Sequence, residues 1–181
     1  KRFGKSLKKN TALHNIMKEE RDKLVMGIDE AGRGPVIGPL VIVGYLIKES
    51  NIPRLKELGV KDSKLLTPKQ REDKLFKIQQ LAEDYKIVII EPKEIDETLE
   101  KPGTNLNWLE ADKTIQVINE LDPDGAIVDC PSPNLKKYKE YLRERVTNDA
   151  TDLIVEHKAE KHLPVAAASV VAKVTRDRII E

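Results

Sequence analysis

The sequence predicts an α/β domain whose mixed five-stranded sheet begins antiparallel, continues with parallel strands and is flanked by helices. Two observations lead to this prediction. The stretches LVMGIDEA (24–31) and PVIGPLVIVGYLI (35–47) are two apolar strands joined by a glycine turn, which is a hairpin. In the second half of the chain, helical and strand-like segments alternate, which requires crossover connections and parallel pairing. With 181 residues, 39% of them hydrophobic, the chain is long enough to bury a core.

Caps and turn residues place the other elements. Thr67 is a helix cap followed by Pro68 at the first helical position, and this helix is expected to reach about Asp84. The remaining elements follow in chain order: the strand YKIVIIEP, a long helix within 105–121, the strand GAIVDC, a helix from about 134 to 146, the strand TDLIVEH, and an alanine-rich helix that Pro164 opens.

Composition bounds the class of protein. The 32 Lys and Arg residues balance 31 Asp and Glu residues, so any nucleic-acid-binding surface must be local. The single cysteine, Cys130, excludes an internal disulfide, and no apolar run is long enough to span a membrane. We expect a cytoplasmic monomer that does not associate with membranes. Residues 1–23 are expected to form a basic N-terminal extension or peripheral helix, and residues 24–181 the catalytic domain.

Four acidic residues lie where strands end or helices begin: Asp29, Glu30, Asp129 and Glu160. Parallel strands can bring such groups together at one end of the sheet. Two like charges about 4 Å apart repel by roughly 4 kcal/mol at an effective dielectric of 20. Either some of these carboxyls therefore have raised pKa values and are protonated, or a hard divalent cation neutralises them. Oxygen ligands alone favour Mg²⁺ or Mn²⁺ over zinc.

Adjacent residues of a strand face opposite sides of the sheet, which limits what Asp29 and Glu30 can do together. They can share one metal site only if the strand twists or ends there, as the glycines that follow would permit. If the strand stays regular, one of the pair is expected to be an ordinary solvated acid.

The turn Gly32-Arg33-Gly34 has two interpretations. Glycines at positive φ would let a ribose 2′-hydroxyl approach the backbone, and Arg33 could reach a phosphate, or the segment is a plain hairpin turn with an exposed arginine. In GVKDSKLLTPKQR, Ser63 and Lys64 precede the capped helix and could hold a phosphate, or form a loop with an Asx turn.

Five segments together resemble the ribonuclease HII family, the type 2 ribonucleases H, and most closely its archaeal members. The resemblance runs from about Leu24 to the last residue, and the outline of the sheet is also similar to the ribonuclease H type of fold. The segments occur in family order as GIDEAGRGPVIGPLV, GVKDSKLLTPKQR, IVDCPSPN, EHKAE and PVAAASVVAKVTRDR.

This resemblance implies an endonuclease that cuts RNA paired with DNA, including single ribonucleotides embedded in duplex DNA, in DNA replication and repair. It implies that Asp29, Glu30 and Asp129 are metal-binding catalytic acids. Glu160 stands where archaeal relatives have the aspartate of HKAD, and this departure predicts reduced activity or a preference for Mn²⁺.

The resemblance also implies that Gly32, Arg33 and Gly34 read the 2′-hydroxyl, while Ser63 and Lys64 hold nearby phosphates. Relatives continue into a helical portion with a GYPSDP tyrosine that packs against the nucleic acid. We expect this chain to be a fragment without that portion, which puts junction selectivity and full substrate affinity in question.

The implied mechanism is hydrolysis with two divalent cations, Mg²⁺ or Mn²⁺, leaving 3′-hydroxyl and 5′-phosphate ends. Two alternatives remain at this point. One is another nuclease of the same fold, such as a resolvase or integrase. The other is a hybrid-binding protein with weak or no catalysis, because of Glu160 and the missing C-terminal segment.

Overall fold

The computed structural model describes residues 21–34, 37–60 and 63–181. Within these residues the protein is built on one five-stranded sheet, whose strands are β1 Leu24–Ala31, β2 Leu40–Lys48, β3 Asp84–Ile90, β4 Gly125–Asp129 and β5 Asp152–Glu156. Their spatial order is β3-β2-β1-β4-β5. The pairs β1–β2 and β2–β3 are antiparallel, and the pairs β1–β4 and β4–β5 are parallel. The predicted mixed sheet is therefore confirmed.

Six α-helices flank the sheet in the described residues: α1 Ile52–Glu57, α2 Pro68–Leu81, α3 Pro92–Leu99, α4 Leu106–Leu121, α5 Leu135–Arg145 and α6 Leu163–Ile180. Helix α2 begins as predicted, because Thr67 accepts a hydrogen bond from Gln70 N (3.2 Å) while Gln70 Oε1 accepts one from Thr67 N (2.8 Å). This reciprocal pair is a capping box. The helix ends three residues before the predicted Asp84, because Ala82 is already extended (ψ 141°) and Asp84 begins β3.

The two faces of the sheet carry separate cores, as the alternation of side chains along a strand requires. Even-numbered residues of β1 and β2, such as Met26 and Ile42, pack with helices α4 and α5. Odd-numbered residues of β2, such as Val41 and Val43, pack with α1, α2 and α6. Side chains at the end of β1 therefore meet α4 on one face and α6 on the other.

Helix α6 lies directly on β1 because a glycine leaves it room. A Cβ on Gly27 would lie 2.1 Å from the carbonyl carbon of Pro164 and 2.2 Å from Val165 N, far inside contact distance. From this close approach α6 continues over the sheet, and three of its polar side chains, Ser169, Lys173 and Arg176, contact groups around the end of β1.

Most of the predicted N-terminal extension, residues 1–20, lies outside the described residues. Within the residues described, no helix combines the length and the apolar character needed to cross a bilayer. Cys130 is buried with a free thiol.

Candidate active site

Asp29 and Glu30 lie inside β1, which keeps a regular antiparallel register with β2 through Ala31. The strand does not end at the acidic pair, so their side chains point to opposite faces. The expectation that one of them would then be an ordinary solvated acid is wrong. Asp29 is only 5% exposed beneath α6, and Glu30 is partly buried against α4. The reason is that helices cover both faces at this end of the sheet.

Asp129 ends the neighbouring parallel strand β4. The register pairs Ile28 with Val128, which places Asp29 and Asp129 at the same level on adjacent strands. Asp129 Oδ1 accepts a hydrogen bond from Ala159 N (3.1 Å), at the start of a 3-10 helical turn, Ala159–Lys161. The predicted gathering of acids at strand ends thus includes Asp129, and its hydrogen bond ties β4 to the turn that carries the fourth acid.

Glu160 lies in this turn and is surrounded by donors. Ser169 Oγ donates to Glu160 Oε1 (2.9 Å), and Lys173 Nζ lies 3.4 Å from the same oxygen. Lys64 Nζ lies 3.2 Å from Glu160 Oε2. Burial alone would raise the pKa of Glu160, but the Ser169 hydrogen bond and the two ammonium groups outweigh it and hold the pKa below its ordinary value. These contacts therefore favour the ionised form of the Glu160 carboxyl.

The pKa values of Asp29 and Glu30 are shifted in the opposite direction. Burial raises the pKa of Asp29 to about 8, and the adjacent Glu30 carboxylate adds to the effect. Burial also raises the pKa of Glu30 to about 8, with the carboxylates of Glu110 and Asp129 adding to it. Since Asp129 affects both residues, the three acids lie within electrostatic reach of one another. Burial is the main cause in both cases, and a bound divalent cation would stabilise the ionised forms of these carboxyls.

The acids do not, however, form a finished ligand shell. Among the residues described, no three side chains of Asp, Glu, His or Cys stand together in a geometry that could hold an ion. Glu160 is instead paired with Lys64 and Lys173. This arrangement has a physical reason, because carboxylates repel one another and each turns toward the nearest donor. The oxygen-only donor set suits Mg²⁺ or Mn²⁺, and holding either ion would require Glu160 to exchange an ammonium partner for the cation.

The glycine turn after β1 differs in part from expectation. Gly32 has φ 106°, and a Cβ there would lie 2.4 Å from Arg176 Nε, so this position requires glycine. Gly34 does not use the freedom that glycine gives: its φ is not positive, and no described atom lies within 4 Å of a Cβ built there. Arg33 is not a freely exposed arginine either, because Nη1 donates to Glu110 Oε2 and Nη2 to Asn107 Oδ1.

The segment before α2 is described only from Ser63 onward. Ser63 begins a 3-10 helical turn, Ser63–Leu65, while Asp62 and the side chain of Ser63 lie outside the described part of the chain. The Lys64 side chain is 66% exposed and contacts Glu160. The structure thus brings Lys64 to the acids and leaves its ammonium accessible from outside.

Sequence reasoning missed four residues of this site: Glu110, Ser169, Lys173 and Arg176. Ser169, Lys173 and Arg176 are spaced i, i+4 and i+7, which places them on one face of a helix. That spacing was a usable signal, because they are polar residues in an otherwise apolar stretch of α6. Glu110 gave no comparable signal, since a single glutamate in an amphipathic helix is usually solvated.

The fold and the acidic end of the sheet together define an enzyme of the ribonuclease H type. The family model described as Ribonuclease HII matches residues 26–181. The chain belongs to the ribonuclease HII family. The prediction of a ribonuclease H enzyme is confirmed at this level, and the family match decides against a resolvase or integrase.

Several relatives agree with this assignment. The chain is 47% identical over 158 residues to ribonuclease HII of Thermococcus onnurineus, covering 86% of this chain and 67% of that protein. It is similar to the crystal structure of ribonuclease H2 from Pyrococcus horikoshii (TM-score 0.79, 44% identity, 87% of this chain and 74% of that one). It is also similar to ribonuclease HII in its complex with PCNA from Archaeoglobus fulgidus (TM-score 0.78, 37% identity, 86% and 73%). Nothing in these similarities supports the alternative of a hybrid-binding protein with weak or no catalysis.

Proposed function

We propose that the domain formed by residues 24–181 is a divalent-cation-dependent endonuclease that hydrolyses the RNA strand of RNA/DNA hybrids. It also cuts on the 5′ side of ribonucleotides embedded in duplex DNA, leaving 3′-hydroxyl and 5′-phosphate ends. Such an activity belongs to DNA replication and repair in the cytoplasm of a prokaryotic cell. The family membership supports the class of reaction, and the site supports the details that follow.

One observation carries the proposal: acids from three separate segments lie at the same end of the sheet, in partly or fully buried positions. Asp29 comes from β1, Asp129 from β4 and Glu160 from the turn before α6. Burial raises the pKa of Asp29 to about 8, and a bound cation would stabilise the ionised form of this carboxyl. In this proposal Asp29, Glu30, Asp129 and Glu160 hold two cations, Mg²⁺ or Mn²⁺. Asp29 and Glu30 take part from opposite faces of β1, and Asp129 lies within electrostatic reach of both.

When bound, the cations supply an activated water and charge neutralisation at the phosphate and the departing oxygen. The protein orients the ligands beforehand. Ala159 N–H fixes Asp129, and the Ser169 hydroxyl fixes Glu160, so neither carboxylate is free to rotate away. Such supporting hydrogen bonds orient the ligands of a metal site.

Two further groups bind the substrate in this proposal. The backbone of the turn Gly32-Arg33-Gly34 contacts the ribose 2′-hydroxyl, the group that distinguishes RNA from DNA. Ser63 and Lys64 bind an adjacent phosphate. The exposed Lys64 ammonium, next to Glu160, supports this role because it is positioned between the acids and the solvent.

A cleavage assay tests the proposal. The substrate is a DNA duplex with one ribonucleotide, incubated with wild type, with Asp29→Asn and with Asp152→Asn in Mg²⁺ and in Mn²⁺. Asp152 is an exposed acid at the start of β5, at the opposite end of the sheet, so it serves as the matched control. We expect cleavage 5′ to the ribonucleotide by wild type and control, and a loss of at least about 10²-fold for Asp29→Asn. Equal rates for Asp29→Asn, or no cleavage by wild type in either metal, would contradict the proposal.

A further inference from the structure

Glu110 is a buried carboxylate with no role in the reaction described above. It lies in α4, is 2% exposed, and its Oε1 has no hydrogen-bond partner among the described residues. Burying a carboxylate is costly unless it is paired. Its pairing partner is Arg33, from the glycine turn 77 residues earlier in the chain.

Both terminal nitrogens of the Arg33 guanidinium donate hydrogen bonds to side chains of α4. Nη1 donates to Glu110 Oε2 and Nη2 donates to Asn107 Oδ1. Asn107 and Glu110 are three residues apart, so they present their oxygens on one face of α4. The guanidinium is thereby directed onto the helix. These two hydrogen bonds tie the turn that carries Arg33 to α4. To contact a phosphate, the guanidinium would have to leave both Glu110 and Asn107.

Arg176 of α6 contacts Gly32 from the other face of the sheet and binds the backbone just before β2. Arg176 Nε donates to Pro39 O (3.0 Å) and Nη2 to Ile37 O (2.6 Å). The α-carbon of Gly32 packs directly on this side chain, since a Cβ there would lie 2.4 Å from Nε. The glycine turn is thus fixed by two arginines. Arg33, which belongs to the turn, binds α4, and Arg176, which belongs to α6, packs against Gly32.

We propose that Glu110 is a positioning residue for ribose recognition, acting through Arg33 to fix the backbone of the turn Gly32-Arg33-Gly34. The inference rests on the proposed function, in which that backbone contacts the 2′-hydroxyl. Glu110 does not touch the substrate. Its contribution is that the turn is already in its recognition geometry before the nucleic acid binds, which lowers the cost of ordering it.

The test compares two duplexes that differ only in the 2′ substituent at the cleavage position. One carries a ribonucleotide and the other a 2′-fluoro nucleotide. The fluorine cannot donate a hydrogen bond, so the ratio of the two kcat/KM values measures recognition of the hydroxyl. The variants are Glu110→Met, which removes the charge at similar volume, Arg33→Met, and the double variant. Asp112→Asn is the control, because Asp112 is an exposed acid on the same helix that accepts from Tyr141 Oη (2.6 Å). Thermal unfolding checks that each variant is folded.

Glu110→Met is expected to lower the ratio by about tenfold, which is the discrimination carried by one hydrogen bond. Glu110→Gln, which keeps an acceptor for Arg33, is expected to restore part of it. The double variant is expected to be no worse than Arg33→Met alone, because Glu110 acts through that arginine.

The outcomes separate this inference from the function on which it rests. If the wild type does not cut beside the ribonucleotide, the proposed function is wrong and this inference falls with it. If the wild type cuts there but Glu110→Met leaves the ratio unchanged, only the inference is overturned. It is also overturned if the effects of Glu110→Met and Arg33→Met are additive, because Glu110 would then act by another route.

Discussion

At the scale of single residues, Ser169 connects two of the acids. Its hydroxyl is fully buried, donates to Glu160 Oε1 (2.9 Å) and lies close enough to the side chain of Asp29 to lower the pKa of that carboxyl. We expect Ser169→Ala to raise the Mg²⁺ concentration needed for half-maximal cleavage by about tenfold or more, as loss of a ligand's supporting hydrogen bond does. The free energy of unfolding should change by only about 1 kcal/mol.

Thr151→Val is the matched control for Ser169→Ala. Thr151 is a buried residue whose hydroxyl donates to Pro123 O (3.0 Å) at the other end of the sheet. Its loss should cost similar stability and leave the Mg²⁺ dependence unchanged. If both variants shifted the Mg²⁺ dependence equally, the role given to Ser169 would be wrong.

Glu160 is the residue at which the resemblance to archaeal ribonucleases HII predicts an aspartate. A glutamate is one methylene longer than an aspartate, and Mg²⁺ tolerates a displaced ligand poorly. We expect Glu160→Asp to raise the cleavage rate in Mg²⁺ more than in Mn²⁺, measured as initial rates on a ribonucleotide-containing duplex. Unchanged rates and an unchanged metal preference would show that the longer side chain of Glu160 does not impair cleavage.

The raised pKa values of Asp29 and Glu30 predict how stability depends on pH. Because each is raised from its ordinary value to about 8, the folded, cation-free protein binds more protons than the unfolded chain between about pH 4 and pH 8. Its stability therefore falls as the pH rises through this window. Glu160, with a lowered pKa, acts in the other sense but only at acid pH, where it loses its stabilising charge.

Thermal unfolding in a chelator, at pH values between about 5 and 8, measures this dependence. We expect Tm to decrease with pH, the decrease to be smaller in Asp29→Asn, and added Mg²⁺ to raise Tm more at the higher pH. A Tm that rises with pH in the chelator would contradict the charge distribution described for the site.

Residue identity alone could predict the acids but not their surroundings. The four acids could be predicted because hydrophobic patterns show where the strands lie, although β1 continues past Asp29 and Glu30 to Ala31. The donors that hold them, such as Ser169, come from contacts between segments distant in sequence, and no local pattern states which face of a helix will meet which carboxylate. The roles of the acids stay predictions until a variant is measured.

At the scale of elements, the packing of α6 on β1 positions the site. Gly27 makes this packing possible, since any larger residue would strike the backbone of Pro164. We expect Gly27→Ala to lower the free energy of unfolding by about 3 kcal/mol or more, measured by urea denaturation.

Gly125→Ala, in β4, is the control for that change. The nearest atom to its added Cβ would be Asp152 O at 3.8 Å, an ordinary contact. A small effect is therefore expected there. A similarly small effect for Gly27→Ala would mean that α6 can move away from β1 without loss, and the account of how the site is positioned would fail.

The elements with strong signals were predicted and the weak ones were not. The long helix predicted within 105–121 is α4, which Asn105 caps through Oδ1 accepting from Trp108 N (3.2 Å), and α2 has its capping box. The short helices Ile52–Glu57 and Pro92–Leu99 were missed. Helices of six and eight residues have too few turns for a helical repeat of apolar residues to be recognised in the sequence. Packing rather than local sequence stabilises them.

At the scale of the whole molecule, the sheet brings distant segments to one end. The order β3-β2-β1-β4-β5 sets the antiparallel hairpin beside the parallel pair, so the end of β1 and the end of β4 are neighbours. The net charge of +1 does not indicate this local group of acids, because Lys and Arg residues elsewhere in the chain balance the total. The sequence pattern could predict the mixed sheet, while the covering of both sheet faces around Asp29 and Glu30 became evident only from the structure.

The central claim is that Asp29, Asp129 and Glu160 together hold divalent cations. Its most direct test is the anomalous difference density of Mn²⁺ in crystals grown with that metal. The account predicts density at the ends of β1 and β4, with carboxylate oxygens of Asp29 and Asp129 at about 2.0–2.2 Å and Glu160 released from Lys64. Density elsewhere, or none while Glu160 remains paired with Lys64 and Lys173, would contradict it.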